Sequence, residues 1–229
     1  MRINFITLFP QLIKSYFGDS ILKNAHEKKL FETEYLNPRD FSTHKHKKVD
    51  APMIGGGAGM LISPEVIKQT LNRIKEQTHI VFVTPSAKRF TQKDAKRLST
   101  QKSITLVSGR YEGIDDRVIE TYANEVFSIG DYILTGGELP SLIISDAILR
   151  NIPGILGNKD SLTEESFENG YLEAPNFTKP IIFEDLQVNS TFLKGNHSKI
   201  SDLKNSMAKI KTRYFRPDIY SQKGTKYEK

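Results

Sequence analysis

Cysteine is absent from the 229 residues. Disulfides, thiolate nucleophiles and thiolate-ligated metals are therefore excluded, and the composition suits a reducing, cytoplasmic setting. Long apolar runs are absent as well. No stretch approaches the ~20 residues that a membrane-spanning helix requires, so no membrane partner is expected. The opening MRINFITLFPQLIKSYF is only partly apolar, because Asn4 and Thr7 interrupt it and Pro10 ends it. No small-residue cleavage site follows, and the segment reads as a first strand rather than a signal peptide. Acid is also short, with 27 Asp+Glu against 33 Lys+Arg, a net charge of +6. The imbalance is local. Residues 194–216 carry seven cations (Lys194, Lys199, Lys204, Lys209, Lys211, Arg213 and Arg216) against Asp202 alone, which accounts for the whole +6. A basic tail on a neutral body points to a polyanionic partner.

At 38% hydrophobic and 26% charged, the composition is that of a soluble globular protein. A chain of this length buries roughly 70% of the surface its unfolded form exposes, enough for a real core. Strand-like and helix-like runs alternate. Residues 3–8, 31–36, 79–84, 104–108 and 125–129 read as short strands. Between them, Asp19 caps a helix, Ser63-Pro64 opens one that runs to residue 77, and Thr91 to Asp94 starts another with a weaker version of the capping box. Asp115 or Asp116 caps a fourth, ending near residue 123. Repeated strand–helix–strand units predict an α/β fold with a mainly parallel sheet flanked by helices.

Residues 138–152 form a helix that is apolar on nearly every side, and such a helix is buried all round. In a chain this small, a partner subunit is expected to cover one side. Residues 158–172 are polar and acidic and read as a flexible linker, in which Ser161 and Glu164 suit a single capped turn. Beyond them Ile200, Leu203, Met207 and Ile210 recur at helical spacing with lysines on the other faces. The expected organisation is therefore a first domain over 1–157, a linker over 158–172 and a small helical domain over 173–229.

Three glycine clusters stand out: Gly55, Gly56, Gly57 and Gly59 in one loop, Gly109 in GRYEG, and Gly130, Gly136 and Gly137 in IGDYILTGG. None fits the phosphate loop of NTPases, which needs a lysine at fixed spacing, or the dinucleotide fingerprint, whose third glycine is replaced by Ile62. Loops following VFVTP, LVSGRYEG and VFSIGDYILTGGELP would all leave the carboxyl edge of a parallel sheet, where open α/β sheets bind ligands. Glycine lets backbone amides and carbonyls approach such a ligand closely.

At GRYEGIDDR and SIGDYILTGGELP the chain closely resembles the bacterial tRNA (guanine-N1)-methyltransferases of the TrmD family, in the knotted SPOUT superfamily. The resemblance begins at FITLFP, passes through NPRDF, IGGGAGM and IPGILGN, and ends in KGNHSKI and FRPD. It implies a homodimer that transfers methyl from S-adenosylmethionine to N1 of guanosine 37 in tRNA carrying guanosine at position 36, helped by Mg²⁺. It implies a trefoil-knotted donor site made by Thr84, Pro85, Gly109, Ile129, Gly130, Tyr132, Leu134, Gly136, Gly137 and Pro140. Methylating N1 requires removal of its proton and stabilisation of charge growing on O6, that is, a general base and a cationic donor. By resemblance, Arg150 serves O6 and Glu165 is the base, with Glu112 near the donor sulfonium or the target base. Many members have Glu-Asp-Ser-Phe where this chain has Glu164-Glu165-Ser166-Phe167. The carboxylate is kept but is one methylene longer, and Glu164 stays open as the acceptor. The family's Asp-Cys-Pro-His-Tyr-Thr-Arg-Pro is replaced by residues 173–180, where Phe177 suits base stacking and Lys179 a phosphate. His44, Lys45, His46, Lys47 and Lys48 form a second basic patch, read as RNA-facing rather than zinc-binding.

Overall fold

A computed structural model describes residues 1–158 and 165–224. The chain forms two compact units, Met1–Gly157 and Asn158–Lys229. The first unit runs β1 (Arg2–Ile6), α1 (Pro10–Lys14), α2 (Ser20–Glu27), β2 (Glu32–Leu36), β3 (Asp50–Pro52), β4 (Met60–Ile62), α3 (Pro64–Leu71), β5 (His79–Val83), α4 (Gln92–Leu98), β6 (Ser103–Ser108), α5 (Asp116–Tyr122), β7 (Glu125–Phe127) and α6 (Glu138–Leu149). Five strands form one sheet in the order β2-β1-β6-β5-β7, with every pairing parallel. This is the expected α/β architecture, with helices on the sheet faces.

Side-chain alternation along the strands assigns the two faces. Ile3, Phe5 and Leu106 pack with Ile144, Ile148 and Leu149 of α6 in one cluster. Ile6, Phe82 and Val107 pack with Val66 and Ile67 of α3 and Val118 of α5 in the other. All six residues of β6 are buried, as befits the middle strand of a parallel sheet covered on both sides.

The local signals act largely as the sequence suggests. Asp19 accepts from the Ser20 amide at the start of α2. Thr91 and Asp94 complete both arms of the capping box on α4. Asp115, rather than Asp116, caps α5 by accepting from the Arg117 amide. Helix α3 stops at Leu71 instead of continuing to residue 77. Beyond it Arg73 stacks on the Phe41 ring and Glu76 accepts from Arg2 at 2.7 Å, which leads the chain into β5. Strand β7 ends at Phe127, so Ser128 and Ile129 leave the sheet to build the loop that follows. The glycine run 55–59, expected within a long loop, joins β3 and β4, which pair antiparallel.

In the second unit, β8 (Ile182–Phe183) and β9 (Leu186–Gln187) make a small hairpin ahead of α7 (His197–Phe215) and α8 (Pro217–Gly224). Helix α7 begins where the Asn196 side chain accepts from the Lys199 amide. Its inner stripe differs from the expected one. Ile210 is 70% exposed, whereas Thr212 is fully buried, donating to Ala208 O and accepting from Leu172 N at 2.8 Å. Among the described residues, no helix is long and apolar enough to cross a membrane. The turn suggested by Ser161 and Glu164 lies outside the described residues.

Candidate active site

The loops after β5, β6 and β7 leave adjacent strands of the sheet at its carboxyl edge. Together they line a cavity of about 430 Å³. Its walls include Thr84 and Pro85 from the first loop, Gly109 and Glu112 from the second, Ile129, Gly130, Tyr132, Leu134, Gly136 and Gly137 from the third, and Pro140 from the first turn of α6. All ten residues expected to hold a methyl donor, together with Glu112, therefore face one space. Its volume lies in the range of small-ligand sites.

Hydrogen bonds between the loops fix this cavity. Thr84 N donates to Phe127 O at 3.0 Å, and Gly137 N donates to Gly109 O at 2.8 Å. Ser128 Oγ, buried, accepts from Gly130 N at 3.1 Å and donates to Gly130 O at 3.0 Å. Beneath the third loop, Ser108 Oγ and Ser141 Oγ are 2.9 Å apart. Gly137 allows backbone to approach backbone closely. A Cβ there would stand 2.8 Å from Gly109 N and Ser108 Cα, both backbone atoms that cannot swing away. At the rim, Arg89 holds Asp131 in a two-pronged ion pair between the first and third loops. The guanidinium's hydrogen bond and charge hold the Asp131 carboxyl below its ordinary range.

Three features escape a reading of the sequence alone. Gly59 and strand β4 lie against the GRYEG loop: Gly59 packs on the Glu112 side chain, Glu112 N donates to Met60 O at 3.0 Å, and Ile62 N donates to Gly113 O at 2.9 Å. Glu138, at the first turn of α6, is only 3% exposed and accepts from Thr7 Oγ1 and Arg110 Nε, each at 2.8 Å. Arg110 lines the cavity, donates to Thr135 O at 3.1 Å and stands 4.5 Å over the Phe9 ring. The signal for the last two was an acid opening an otherwise apolar helix and an arginine inside GRYEG. Only the fold brings those positions, 28 residues apart, into contact.

Arg150 is half-buried at the C-cap of α6, where its amide donates to Asp146 O at 3.0 Å, a position that suits a cation at the negative helix end. It is not among the residues lining the 430 Å³ cavity. Glu165 belongs to the second unit. There it lines a cleft of about 340 Å³ with Tyr171, Glu173, Lys204, Asn205 and Lys209. Phe177 is exposed and its ring lies 5.5 Å from that of Phe192. The 44–48 patch is exposed and tied back where Ser42 Oγ donates to Lys48 O at 2.6 Å. Among the described residues, no three His, Cys, Asp or Glu side chains gather as a metal site. Glu164 lies outside the described residues.

The chain is similar to known proteins along nearly its whole length. A family profile described as tRNA (Guanine-1)-methyltransferase TrmD matches residues 1–222. A protein of a Nitratiruptor species, named tRNA (guanine-N(1)-)-methyltransferase, is 63% identical over 219 residues, covering 95% of this chain and 97% of its own. A protein of the same name from a Sulfurovum species is 58% identical over 226 residues, covering 97% and 100%. One from Campylobacter jejuni is 56% identical over 227 residues, covering 96% and 97%. A match along this much of the chain, at these identities, settles the family: the chain belongs to the tRNA (guanine-1)-methyltransferases of the TrmD family.

Proposed function

We propose that this protein is a cytoplasmic tRNA methyltransferase that moves the methyl group of S-adenosylmethionine to N1 of guanosine 37, in tRNAs with guanosine at position 36. The observation that carries this reading is the convergence of ten expected donor-site residues, from three loops and the first turn of α6, on one cavity. The residues suit the donor. Gly109, Gly136 and Gly137 expose main-chain groups to its adenine and ribose, and Ile129, Tyr132 and Leu134 supply apolar walls. When bound, the donor supplies a methyl group already activated on a sulfonium.

The protein's part is alignment, proton removal and charge stabilisation. Guanine N1 carries a proton at neutral pH. Glu165 accepts that proton, and its extra methylene is taken up by the linker in which it sits. Arg150 donates to O6, where the planar guanidinium matches the charge that develops. Glu112, packed under the 55–59 loop, lies near the reacting groups. Mg²⁺, implied by the family resemblance, is included in the assay on that ground.

We also infer a homodimer. Leu139 and Ile143 lie one turn apart on α6 and are 54% and 44% exposed, beside exposed Leu12 and Tyr16 of the neighbouring segment. A second copy would cover this apolar face. The lysines and arginines of α7, with Phe177 and the 44–48 patch, provide phosphate and base contacts for tRNA.

The test is incubation of purified protein with methyl-labelled S-adenosylmethionine, Mg²⁺ and a transcript carrying guanosine at positions 36 and 37, beside one with adenosine at 37. Label recovered as N1-methylguanosine in the first transcript alone is the expected result. Label on a ribose, or in both transcripts, would overturn it.

A further inference from the structure

We infer that Glu138 is a positioning residue for the methyl-donor cavity, acting through Arg110 to fix the 135–137 turn. This rests on the reading above that the cavity holds the donor. Glu138 does not line the cavity itself, so any effect on donor binding must pass through a neighbour.

The geometry gives that neighbour. Each carboxylate oxygen of Glu138 has its own partner: Oε1 accepts from Thr7 Oγ1 and Oε2 from Arg110 Nε, both at 2.8 Å. Thr7 follows β1, and its hydroxyl also accepts from Phe9 N at 2.9 Å. Arg110 follows Gly109 at the end of β6, and its Nη1 reaches Thr135 O at 3.1 Å. One buried carboxylate therefore joins three segments that are far apart in the sequence: the end of β1, the loop after β6 and the turn into α6. Arg110 packs against that turn. A Cβ placed on Gly136 would fall 2.6 Å from Arg110 Cδ, so the arginine side chain and the glycine backbone occupy adjoining layers of one wall.

Energetics favour a positioning role over a purely stabilising one. A buried ion pair gains little over a well-packed apolar pair, because both charges lose their water. What an arginine fork adds is direction: its planar donors hold one orientation where an alkyl chain would permit several. Glu138 sits at the positive end of α6, which offsets part of the cost of burial. Without the carboxylate, Arg110 loses the anchor at one end of its fork and the 135–137 turn loses its lateral support.

The experiment uses the full-length protein and compares Glu138→Gln with wild type, well below the melting temperature of both. Glutamine keeps the size of the side chain but removes the charge. Calorimetric binding of S-adenosylhomocysteine should weaken by about tenfold or more, since small misplacements of a built site are costly. KM for S-adenosylmethionine should rise in parallel, while KM for tRNA stays within about twofold. Arg110→Lys, which keeps the charge beside Glu138 but cannot also reach Thr135 O, should reproduce the donor-specific defect, and it carries the test if Glu138→Gln does not fold. Donor affinity unchanged in a folded variant, or donor and tRNA weakened equally, would overturn the inference. Hydrogen exchange on the wild-type protein separates this from the underlying reading. S-adenosylhomocysteine should slow exchange in residues 109–113 and 129–137. No protection there sinks the donor-cavity reading itself. Protection there with an unaltered Glu138→Gln sinks only the positioning role.

Discussion

Glu112 lies directly beneath Gly59: a Cβ added to that glycine would stand 2.7 Å from Glu112 Oε1. Gly59 also has φ +94°, in the left-handed region that disfavours side chains. Gly59→Ala must therefore both strain the backbone, at roughly 1–2 kcal/mol, and displace the Glu112 side chain. The expected outcome is a protein that still folds and loses about tenfold or more in kcat/KM, as a displaced site residue would. Thermal melting and steady-state kinetics measured together check it. Full activity at normal stability would remove Glu112 from the reacting groups.

The assigned base and O6 donor make separable predictions. Arg150→Ala should lower kcat by about 10²–10³, the usual cost of removing one donor that meets developing charge. Glu165→Ala should lower kcat by roughly 10²–10⁴ through loss of general base catalysis. Neither change should weaken S-adenosylhomocysteine, because neither residue lines the donor cavity. Single-turnover methyl transfer beside calorimetric donor binding reads both. Unchanged turnover in Glu165→Ala would move the proton to another acceptor, Glu164 being the adjacent carboxylate.

Binding of tRNA should be strongly salt-dependent. Lys199 and Arg213 are exposed on α7, and each phosphate contact contributes about 0.7–0.9 to the slope of log K against log salt. Lys199→Ala and Arg213→Ala should each flatten that slope by close to one contact, and by the same amount for tRNAs of different sequence. A filter-binding or fluorescence titration between low and physiological salt measures it. An unchanged slope would place those side chains away from the RNA.

The α/β core was legible in the sequence because most strands of the main sheet are short apolar runs closed by proline, glycine or a capping residue, β2 (ETEYL) being the polar exception. Even the weaker Thr91–Asp94 capping box forms in full. The three loops after β5, β6 and β7 were legible as neighbours for the same reason, since parallel strands place them on one edge, and they line one cavity. Other features were not. Strands β3 and β4 are three residues each, too short for periodicity to register, and glycines separate them. On α7 the spacing 200, 203, 207, 210 averages below the 3.6-residue turn and drifts round the helix. The buried stripe instead reaches Thr212, leaving Ile210 exposed. The Glu138–Arg110 pair depends on tertiary contact between residues 28 apart, which no local pattern encodes.

The exposed stripe on α6 predicts how association can be broken. Ile143→Asp places a charge where a second copy would bury it, next to Leu139 one turn away. A buried, unpaired carboxylate costs several kcal/mol, so the wild-type protein should sediment as a dimer and the variant as a monomer. The solvent-side location of Ile143 in the single chain means that the monomer should remain folded by circular dichroism. A dimeric Ile143→Asp protein would place the interface elsewhere.

The capping box on α4 gives a prediction in pH. Burial alone would raise the Asp94 carboxyl, but hydrogen bonds from Thr91 and Arg97 outweigh it and hold the group below its ordinary value. Thr91 Oγ1 donates to Asp94 Oδ2 at 2.6 Å and accepts from Asp94 N at 3.4 Å. A carboxyl depressed in the folded state adds stability at pH above its unfolded value, near 3.9, and loses that contribution as pH falls through the folded value. Thr91→Ala removes the hydroxyl from both bonds. At pH 7 it should cost about 1 kcal/mol, the typical worth of an N-cap side chain. As pH falls from the unfolded value through the lower folded value, Asp94 becomes protonated, the charge-assisted bond is lost, and the gap between the two proteins should narrow progressively. Urea denaturation at pH 7, 5 and 3.5 measures this. A gap that stays constant across the series would mean that Thr91 acts through the backbone bond alone, and that the Asp94 charge contributes nothing to holding the start of α4.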